Sequence, residues 1–124
     1  MFIAIDFDGV CVSNEYPKVG RDIGAVPVLQ ELTEKDHKLI LLTNRDGQTL
    51  KDAENWFMAY GLPLYAVNRN PVQWRFSSSA KVYAHLYIDD SALGCPLKKD
   101  PEISDKLFID WDKAREWLID NKII

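Results

Sequence analysis

The chain has 124 residues, a length that suits one domain and leaves little for a second. Hydrophobic residues make up 47% of it and charged residues 27%, which is ordinary for a globular protein in water. The net charge is −4, so no basic field favours nucleic acid or a membrane surface, and neither is expected as a partner. An anionic ligand would therefore need local positive charge from a metal ion or from a few well-placed Lys and Arg residues.

The five short apolar runs alternate with helical patterns, which predicts an α/β fold built on a parallel sheet of about five strands. They cover residues 2–5, 39–42, 64–67, 86–88 and 107–109. The first run is too short for a signal peptide or a membrane span, so the cytoplasm is the expected location. Cys11 and Cys95 are too few for a disulfide framework and lack metal-ligand spacing, which predicts free thiols.

Three helices are predicted between and after these runs. The first carries apolar residues at helical spacing, namely Ala25, Val28, Leu29 and Leu32. The second follows the turn at residues 45–47 and ends near Gly61 and Pro63. The third begins at Asp110 or Asp112 and directs Ala114, Trp117 and Leu118 inward. Residues 68–80 have no clear period and are predicted to form a loop with room for one helical turn.

Polar residues follow three of the predicted strands, and this coincidence locates the candidate site. They are Asp6, Thr43 and Asp89, and the carboxyl ends of parallel strands share one edge of a sheet, where ligands bind. In the segment Asp6-Phe7-Asp8-Gly9-Val10, Asp6 and Asp8 can face one pocket because alternate residues of an extended chain point the same way. Two carboxylates in one crevice repel each other unless a cation is present, and Mg²⁺ suits such oxygen ligands.

Two further segments can complete a site for a phosphoryl group. Leu41-Leu42-Thr43-Asn44-Arg45 places a hydroxyl and an amide after a buried strand, where they can hold a phosphoryl oxygen. Arg45 is either a substrate clamp or a solvated surface charge. Lys81 can neutralise negative charge, and the pair Asp89-Asp90 can complete a metal site. Each segment alone also fits ordinary turn-forming sequence, and only their joint occurrence in this order makes that explanation poor.

The four segments together resemble the motifs of the haloacid dehalogenase (HAD) superfamily of aspartate-nucleophile phosphotransferases. DFDGV, LLTNR, Lys81 and YIDD occur in the family's order and cover almost the whole chain. The sequence looks closest to the small members without a cap domain. The resemblance implies one Rossmann-like, three-layer domain over residues 1–124 and a Mg²⁺-dependent phosphomonoesterase. The family often has Thr where this chain has Val10, an exchange that leaves both acids untouched.

The resemblance also implies a role for each matching residue. Asp6 would attack phosphorus and form an aspartyl-phosphate, while Asp8 would protonate the leaving group and then help to deprotonate water. Thr43 would hold a phosphoryl oxygen, and Lys81 would offset the charge on Asp6 and the phosphoryl group. The implied metal ligands are Asp6, Asp8 through its backbone carbonyl, Asp89, and Asp90 directly or through water. The second acid favours phosphate chemistry over carbon–halogen cleavage.

An uncapped site would be open, so either a large substrate reaches in or a neighbouring subunit of a homo-oligomer closes it. The predicted substrate-binding residues are Asn44, Arg45, Arg69 and Arg75, the last two from a loop that could equally be solvated. Two alternatives share the fold: a non-catalytic module that binds phosphoryl groups or assembles with partners, and a phosphotransferase to an acceptor other than water. His37 and His85 precede their strands and are expected at the opposite edge, away from chemistry.

Overall fold

Four strands form the central sheet, and all of them run parallel. In a computed structural model that describes residues 1–124, these are β1 (Phe2–Ile5), β2 (Lys38–Leu41), β3 (Leu64–Val67) and β4 (Leu86–Ile88). Their order is β3-β2-β1-β4. In this register Ile3 lies beside Leu39 of β2 and Leu86 of β4. The chain is therefore α/β, and its parallel sheet has four strands.

The prediction of about five strands in this sheet was wrong. The apolar run at residues 107–109 forms a strand, β6 (Phe108–Ile109), but it pairs antiparallel with β5 (Leu97–Lys98) in a separate two-stranded sheet. The Ile109 N–H donates to the carbonyl of Gly9 at 2.9 Å, which ties this segment to the turn after β1. Only two residues stay extended before the last helix begins at Trp111, so β4 remains the edge strand.

The three helices form where the apolar spacing predicts them, but the prediction that Trp117 points inward was wrong, since this residue is 50% exposed. They are α1 (Ala25–Glu34), α2 (Gly47–Ala59) and α3 (Trp111–Asp120), and α1 buries Ala25, Val28, Leu29 and Leu32 as predicted. The hydroxyl of Thr49 bonds both the N–H and the carbonyl of Asp46, which fixes the start of α2. The carboxylate of Asp110 accepts from the N–H groups of Asp112 and Lys113 and caps α3. A single 3₁₀ turn, Gln73–Arg75, lies in the predicted loop.

The main core lies on one face of the sheet, where all three helices contribute side chains. It contains 21 buried residues, including Ile3 and Ile5 of β1 and Leu39 and Leu41 of β2. The alternate residues Ala4 and Ile40 are also buried but belong to the other face. That face carries Tyr87, whose hydroxyl bonds the backbone of Val82 and Ala84, so the loop before β4 covers it. This arrangement departs from the predicted three layers, because a loop stands where one layer of helices was expected.

Strand order reverses at β1, and this determines where a ligand can bind. The chain moves outward from β1 to β2 and β3, then returns to the other side of β1 to form β4. In open parallel sheets a crevice forms outside the carboxyl ends of the strands at such a reversal. Asp6 follows β1 and Asp89 follows β4, so the sequence places acids on both sides of that crevice. None of the helices combines the length and the apolar character needed to cross a bilayer.

Candidate functional site

A polar cleft of about 560 Å³ opens at the carboxyl ends of β1, β2 and β4. Only one of its ten lining residues is hydrophobic, and the set is Asp6, Asp8, Asn14, Tyr16, Thr43, Asn44, Arg45, Asp90, Ser91 and Lys106. Six of them were predicted from sequence. Asn14, Tyr16, Ser91 and Lys106 were not, because they lie on turns and loops without a strand-end pattern.

Three carboxylates of the site lie close enough to share a cation. One oxygen from each of Asp6, Asp89 and Asp90 lies within 4.8 Å of the others. The N–H of Asp6 donates to the carbonyl of Ile88 at 3.0 Å, so the pairing of β1 with β4 continues to the edge and brings the acids together. A hard divalent cation such as Mg²⁺ takes carboxylate and carbonyl oxygens, and this donor set fits it.

The electrostatics of the cluster also fit a bound cation. Burial raises the pKa of Asp6 to about 7, and the charges of Asp89 and Asp90 add to the rise, while the N–H of Phe7 opposes it. Burial also raises the pKa of Asp90, and the charge of Asp89 acts in the same direction. Without a cation these carboxylates destabilise one another, so a divalent ion would relieve both the repulsion and the cost of burial.

Gly9 allows Asp90 to reach the cluster. Its φ of +81° is in the left-handed region, and a Cβ at this position would lie 2.3 Å from Oδ2 of Asp90. Any larger residue would push that carboxylate away from Asp6 and would also strain the turn. The glycine after the two acids therefore serves the site through close approach as well as through its left-handed backbone conformation.

Arg45 is neither a substrate clamp nor a solvated charge, which corrects both interpretations made from sequence. It is only 3% exposed, and its guanidinium binds Asp8 in a bidentate ion pair, Nε to Oδ2 at 2.8 Å and Nη2 to Oδ1 at 2.7 Å. Its other three N–H groups donate to the carbonyls of Pro17, Lys18 and Thr49. All five donors are used inside the protein, so none is left for a substrate.

Thr43 is held at the cleft by Asn68, a residue that the sequence did not single out. The N–H of Thr43 donates to Oδ1 of Asn68 at 2.9 Å, and Nδ2 of Asn68 donates to the carbonyl of Thr43 at 3.1 Å. The hydroxyl oxygen of Thr43 accepts from the N–H of Arg45 at 3.0 Å, which leaves the hydroxyl hydrogen free to donate. Asn68 lies 25 residues further along the chain, so no local pattern could connect the two.

Lys81 does not line the cleft, contrary to its predicted place beside Asp6. It is exposed, and its Nζ lies 5.8 Å from the ring centroid of Tyr87. The side chain of Gln73 explains this position, because it donates to the carbonyls of Ser79 and Lys81 and accepts from the N–H of Tyr83. The loop is therefore folded on itself against the face of the sheet.

The predicted substrate residues of the loop also lie outside the cleft. Arg69 and Arg75 are both exposed, and the guanidinium of Arg75 stacks over Trp74, itself 76% exposed. The expected positions of His37 and His85 at the opposite edge of the sheet are confirmed, since they directly precede β2 and β4.

The cysteine prediction is confirmed, since both residues carry free thiols. The thiol of Cys11 is buried and donates to the carbonyl of Asp6 at 3.3 Å. Burial raises its pKa well above the usual range, and the charges of Asp6 and Asp8 add to this. Cys11 therefore supports the turn after β1 as a neutral packing residue.

A second groove, of about 440 Å³, lies between β4 and α3 and is mainly apolar. Its lining includes Leu93, Pro96 and Trp117, together with Asp89 at its margin. It lacks the converging carboxylates and hydroxyl of the polar cleft. The chemistry of the side chains therefore identifies the polar cleft as the candidate site.

The raised pKa of Asp6 predicts a specific pH dependence of stability in metal-free protein. The folded pKa of about 7 lies above the ordinary 3.8, so folded protein binds more protons between these values. This contribution to the free energy of unfolding is present below about pH 4 and is lost as pH rises through about 7. Asp6→Asn lacks it. We expect wild type, measured by thermal unfolding in EDTA, to lose stability relative to Asp6→Asn from pH 5 to pH 8.

Added MgCl₂ should reverse that loss for wild type at pH 8 and leave Asp6→Asn nearly unchanged, because a ligand stabilises the state that binds it. Parallel pH profiles for the two proteins, or equal stabilisation of both by Mg²⁺, would contradict the prediction.

Comparison with known proteins shows the family to which the chain belongs but gives no activity for it. A scan against protein-family models and a search of curated proteins both found no match. Among solved structures, a conserved protein from Bacteroides thetaiotaomicron matches with a TM-score of 0.76 and 36% sequence identity, over 98% of this chain and 91% of that chain. The chain belongs to the same family as that protein. Its description calls it conserved and gives no reaction, so function is argued from the cleft.

Proposed function

We propose that the protein is a Mg²⁺-dependent phosphohydrolase of the HAD superfamily that forms an aspartyl-phosphate on Asp6. The observation that carries this proposal is the convergence of Asp6, Asp89 and Asp90, with oxygens within 4.8 Å. Asp6 and Asp90 of this cluster line the polar cleft together with Asp8 and Thr43. A nucleophile, a cation site and a hydrogen-bond donor for a phosphoryl oxygen are the parts that phosphoryl transfer needs.

The proposed reaction has two displacements at phosphorus. A carboxylate oxygen of Asp6 attacks, the bond from phosphorus to the ester oxygen breaks, and the electron pair leaves with that oxygen, either as a phenolate or with a proton taken from solvent water. Water then attacks the aspartyl-phosphate, its proton passes to Asp8, and phosphate departs as the Asp6 carboxylate is restored. Thr43 donates its hydroxyl hydrogen to a phosphoryl oxygen throughout.

Asp6, Asp89 and Asp90 would hold Mg²⁺, together with the backbone carbonyl of Asp8. When bound there, the ion supplies positive charge that offsets the repulsion between the nucleophile and a phosphoryl anion. The raised pKa of Asp6 describes the protein without this charge. With the cation present, Asp6 is ionised at neutral pH and able to attack.

The ion pair between Asp8 and Arg45 bears on which esters react fastest. While this pair persists, Asp8 carries no proton to donate to a leaving group. An aryl phosphate releases a stable phenolate and needs little protonation, whereas an alkyl phosphate needs a proton donor. Aryl phosphates are therefore the first substrates to test. Hydrolysis of an alkyl phosphate would require the ion pair between Asp8 and Arg45 to open, so that Asp8 can carry a proton.

The test is release of inorganic phosphate from 4-nitrophenyl phosphate and from a panel of sugar, nucleotide and lipid-precursor phosphates. We expect turnover with MgCl₂ and none with EDTA, restored when Mg²⁺ is added back. Purified, folded protein that releases phosphate from none of these esters in the presence of Mg²⁺ would remove the proposal.

The engagement of Asp8 by Arg45 also favours a second candidate, a module that binds a phosphorylated partner without hydrolysing it. Both candidates predict that phosphate binds with Mg²⁺, and they differ in turnover. Beryllium fluoride should form an adduct at Asp6 if its carboxylate is a competent nucleophile. Bound phosphate without such an adduct and without turnover of any ester would favour the binding module.

A further inference from the structure

The cleft has two cationic side chains in its lining, and only one of them is free. All the N–H groups of the Arg45 guanidinium donate to Asp8 or to three backbone carbonyls. The ammonium of Lys106 makes no ion pair and no hydrogen bond with the protein. Lys81, the lysine that sequence reasoning placed here, lies over the ring of Tyr87 instead. Lys106 is therefore the protein's available positive charge at this site.

The backbone of Lys106 is fixed on both sides by contacts to the first loop of the chain. Its N–H donates to the hydroxyl oxygen of Ser104, which is 6% exposed, and that hydroxyl donates to Glu15 at 2.8 Å. Three residues later, Ile109 bonds the carbonyl of Gly9. The loop that carries Lys106 is thus tied to the segment that carries Asp8, and its side chain enters the cleft from an anchored position.

The charge balance of the cleft indicates a role for the ammonium of Lys106. Arg45 neutralises Asp8, and a divalent cation would neutralise two of the three carboxylates in the cluster formed by Asp6, Asp89 and Asp90. One negative charge then remains to oppose an incoming phosphoryl anion. The ammonium of Lys106 offsets it and provides donors on a flexible stem, which suits a phosphoryl group as a point charge.

We propose that Lys106 binds the phosphoryl group in this cleft and replaces Lys81 in that role. The inference rests on the proposed function, because it names a ligand-binding residue of the same site. It also implies that the ligand is a terminal phosphate monoester, whose exposed oxygens can contact the metal site on one side and Lys106 on the other.

The test compares Lys106→Ala and Lys106→Arg with wild type for binding of inorganic phosphate, measured by calorimetry in MgCl₂. A charge-assisted hydrogen bond is worth about 1.5–3 kcal/mol, so Lys106→Ala should weaken binding by about 10- to 150-fold. Lys106→Arg keeps the charge and should retain most of the affinity. Lys99→Ala removes an exposed lysine of the same loop and serves as the matched control, with binding unchanged.

Unchanged affinity in Lys106→Ala, a larger loss in Lys81→Ala, or no phosphate binding by wild type would each overturn the inference. Thermal unfolding serves to check that the variants are folded, which we expect because the side chain of Lys106 is exposed. If wild type hydrolyses esters while Lys106→Ala is unaffected in binding and kcat/KM, the proposed function stands and this inference fails. If phosphate binds through Lys106 but no ester is hydrolysed, this inference stands and the proposed function fails.

Discussion

Replacing Asp6 with Asn is expected to lower Mg²⁺-dependent phosphate release by at least ~10³-fold, because an amide oxygen is too weak a nucleophile to displace an ester oxygen from phosphorus. Asn preserves the size of the side chain and can still accept the hydrogen bond from the N–H of Phe7. The variant should therefore fold, and in the absence of metal it should be at least as stable as wild type near pH 8. Initial rates with 4-nitrophenyl phosphate measure the effect.

Two controls make the loss interpretable. Asp120→Asn changes an exposed acid at the end of α3, far along the chain from the cleft, and should leave the rate unaltered. Beryllium fluoride should add to wild type and not to Asp6→Asn, as seen by mass shift or fluorine resonance. Residual activity in Asp6→Asn within about tenfold of wild type would mean that another group attacks phosphorus, and the assignment of Asp6 would be wrong.

Replacing Arg45 with Met is expected to destabilise the protein by about 3–5 kcal/mol, the usual effect of removing one partner of a buried ion pair. The substitution keeps an apolar stem but leaves the Asp8 carboxylate without its partner in a site where its side chain is 17% exposed. It also strands the carbonyls of Pro17, Lys18 and Thr49, which join the first loop to the start of α2. Urea unfolding at pH 7 measures the change.

Arg115 offers a matched control for Arg45 because it forms the same bidentate pair with Glu31 on the surface, Nε to Oε1 at 2.8 Å and Nη2 to Oε2 at 3.0 Å. Solvent screens that pair, so Arg115→Met should cost only a small fraction of the loss in Arg45→Met. Similar losses in the two variants would mean that burial does not set the strength of the Asp8 pair.

A double-mutant cycle with Asp8→Asn isolates the pair itself. Once Asp8 is neutral, removing the guanidinium no longer strands a charge, so the second substitution should cost about 1–3 kcal/mol less than it does in wild type. Additive effects would show that Arg45 acts through the three carbonyls alone. The outcome also matters for chemistry, since a strong pair keeps Asp8 in its charged form and limits proton donation to a leaving group.

The residues that follow the strands were predicted well. Their positions depend on local periodicity and on the rule that the carboxyl ends of parallel strands share one edge of the sheet. The apolar runs before Asp6 and Asp89 belong to adjacent parallel strands, and the N–H of Asp6 bonds the carbonyl of Ile88, so the two ends must meet. The buried face of α1 follows from the spacing of Ala25, Val28, Leu29 and Leu32. Each of these signals is contained in a short stretch of the chain, so it can be recognised without knowledge of distant contacts.

Positions on loops were predicted poorly, because contacts between distant segments decide them. Lys81 precedes β4, and the resemblance to the HAD superfamily implied a place beside Asp6, but the side chain of Gln73 folds the loop away. Lys106 enters the cleft only because β6 pairs with β5 and bonds Gly9 instead of extending the main sheet. Neither event leaves a periodic trace in the sequence.

Arg45 shows the limit most clearly. The sequence by itself determined an α/β chain whose strands end in Asp6, Thr43 and Asp89, since apolar periodicity and strand-end acids are local properties. Only the tertiary structure decided that Arg45 is buried and bound to Asp8, 37 residues away, because that pairing requires two loops and the start of α2 to surround one guanidinium. Burial and the partners of a charge depend on the whole fold, and they decide whether an arginine binds substrate or holds the protein together.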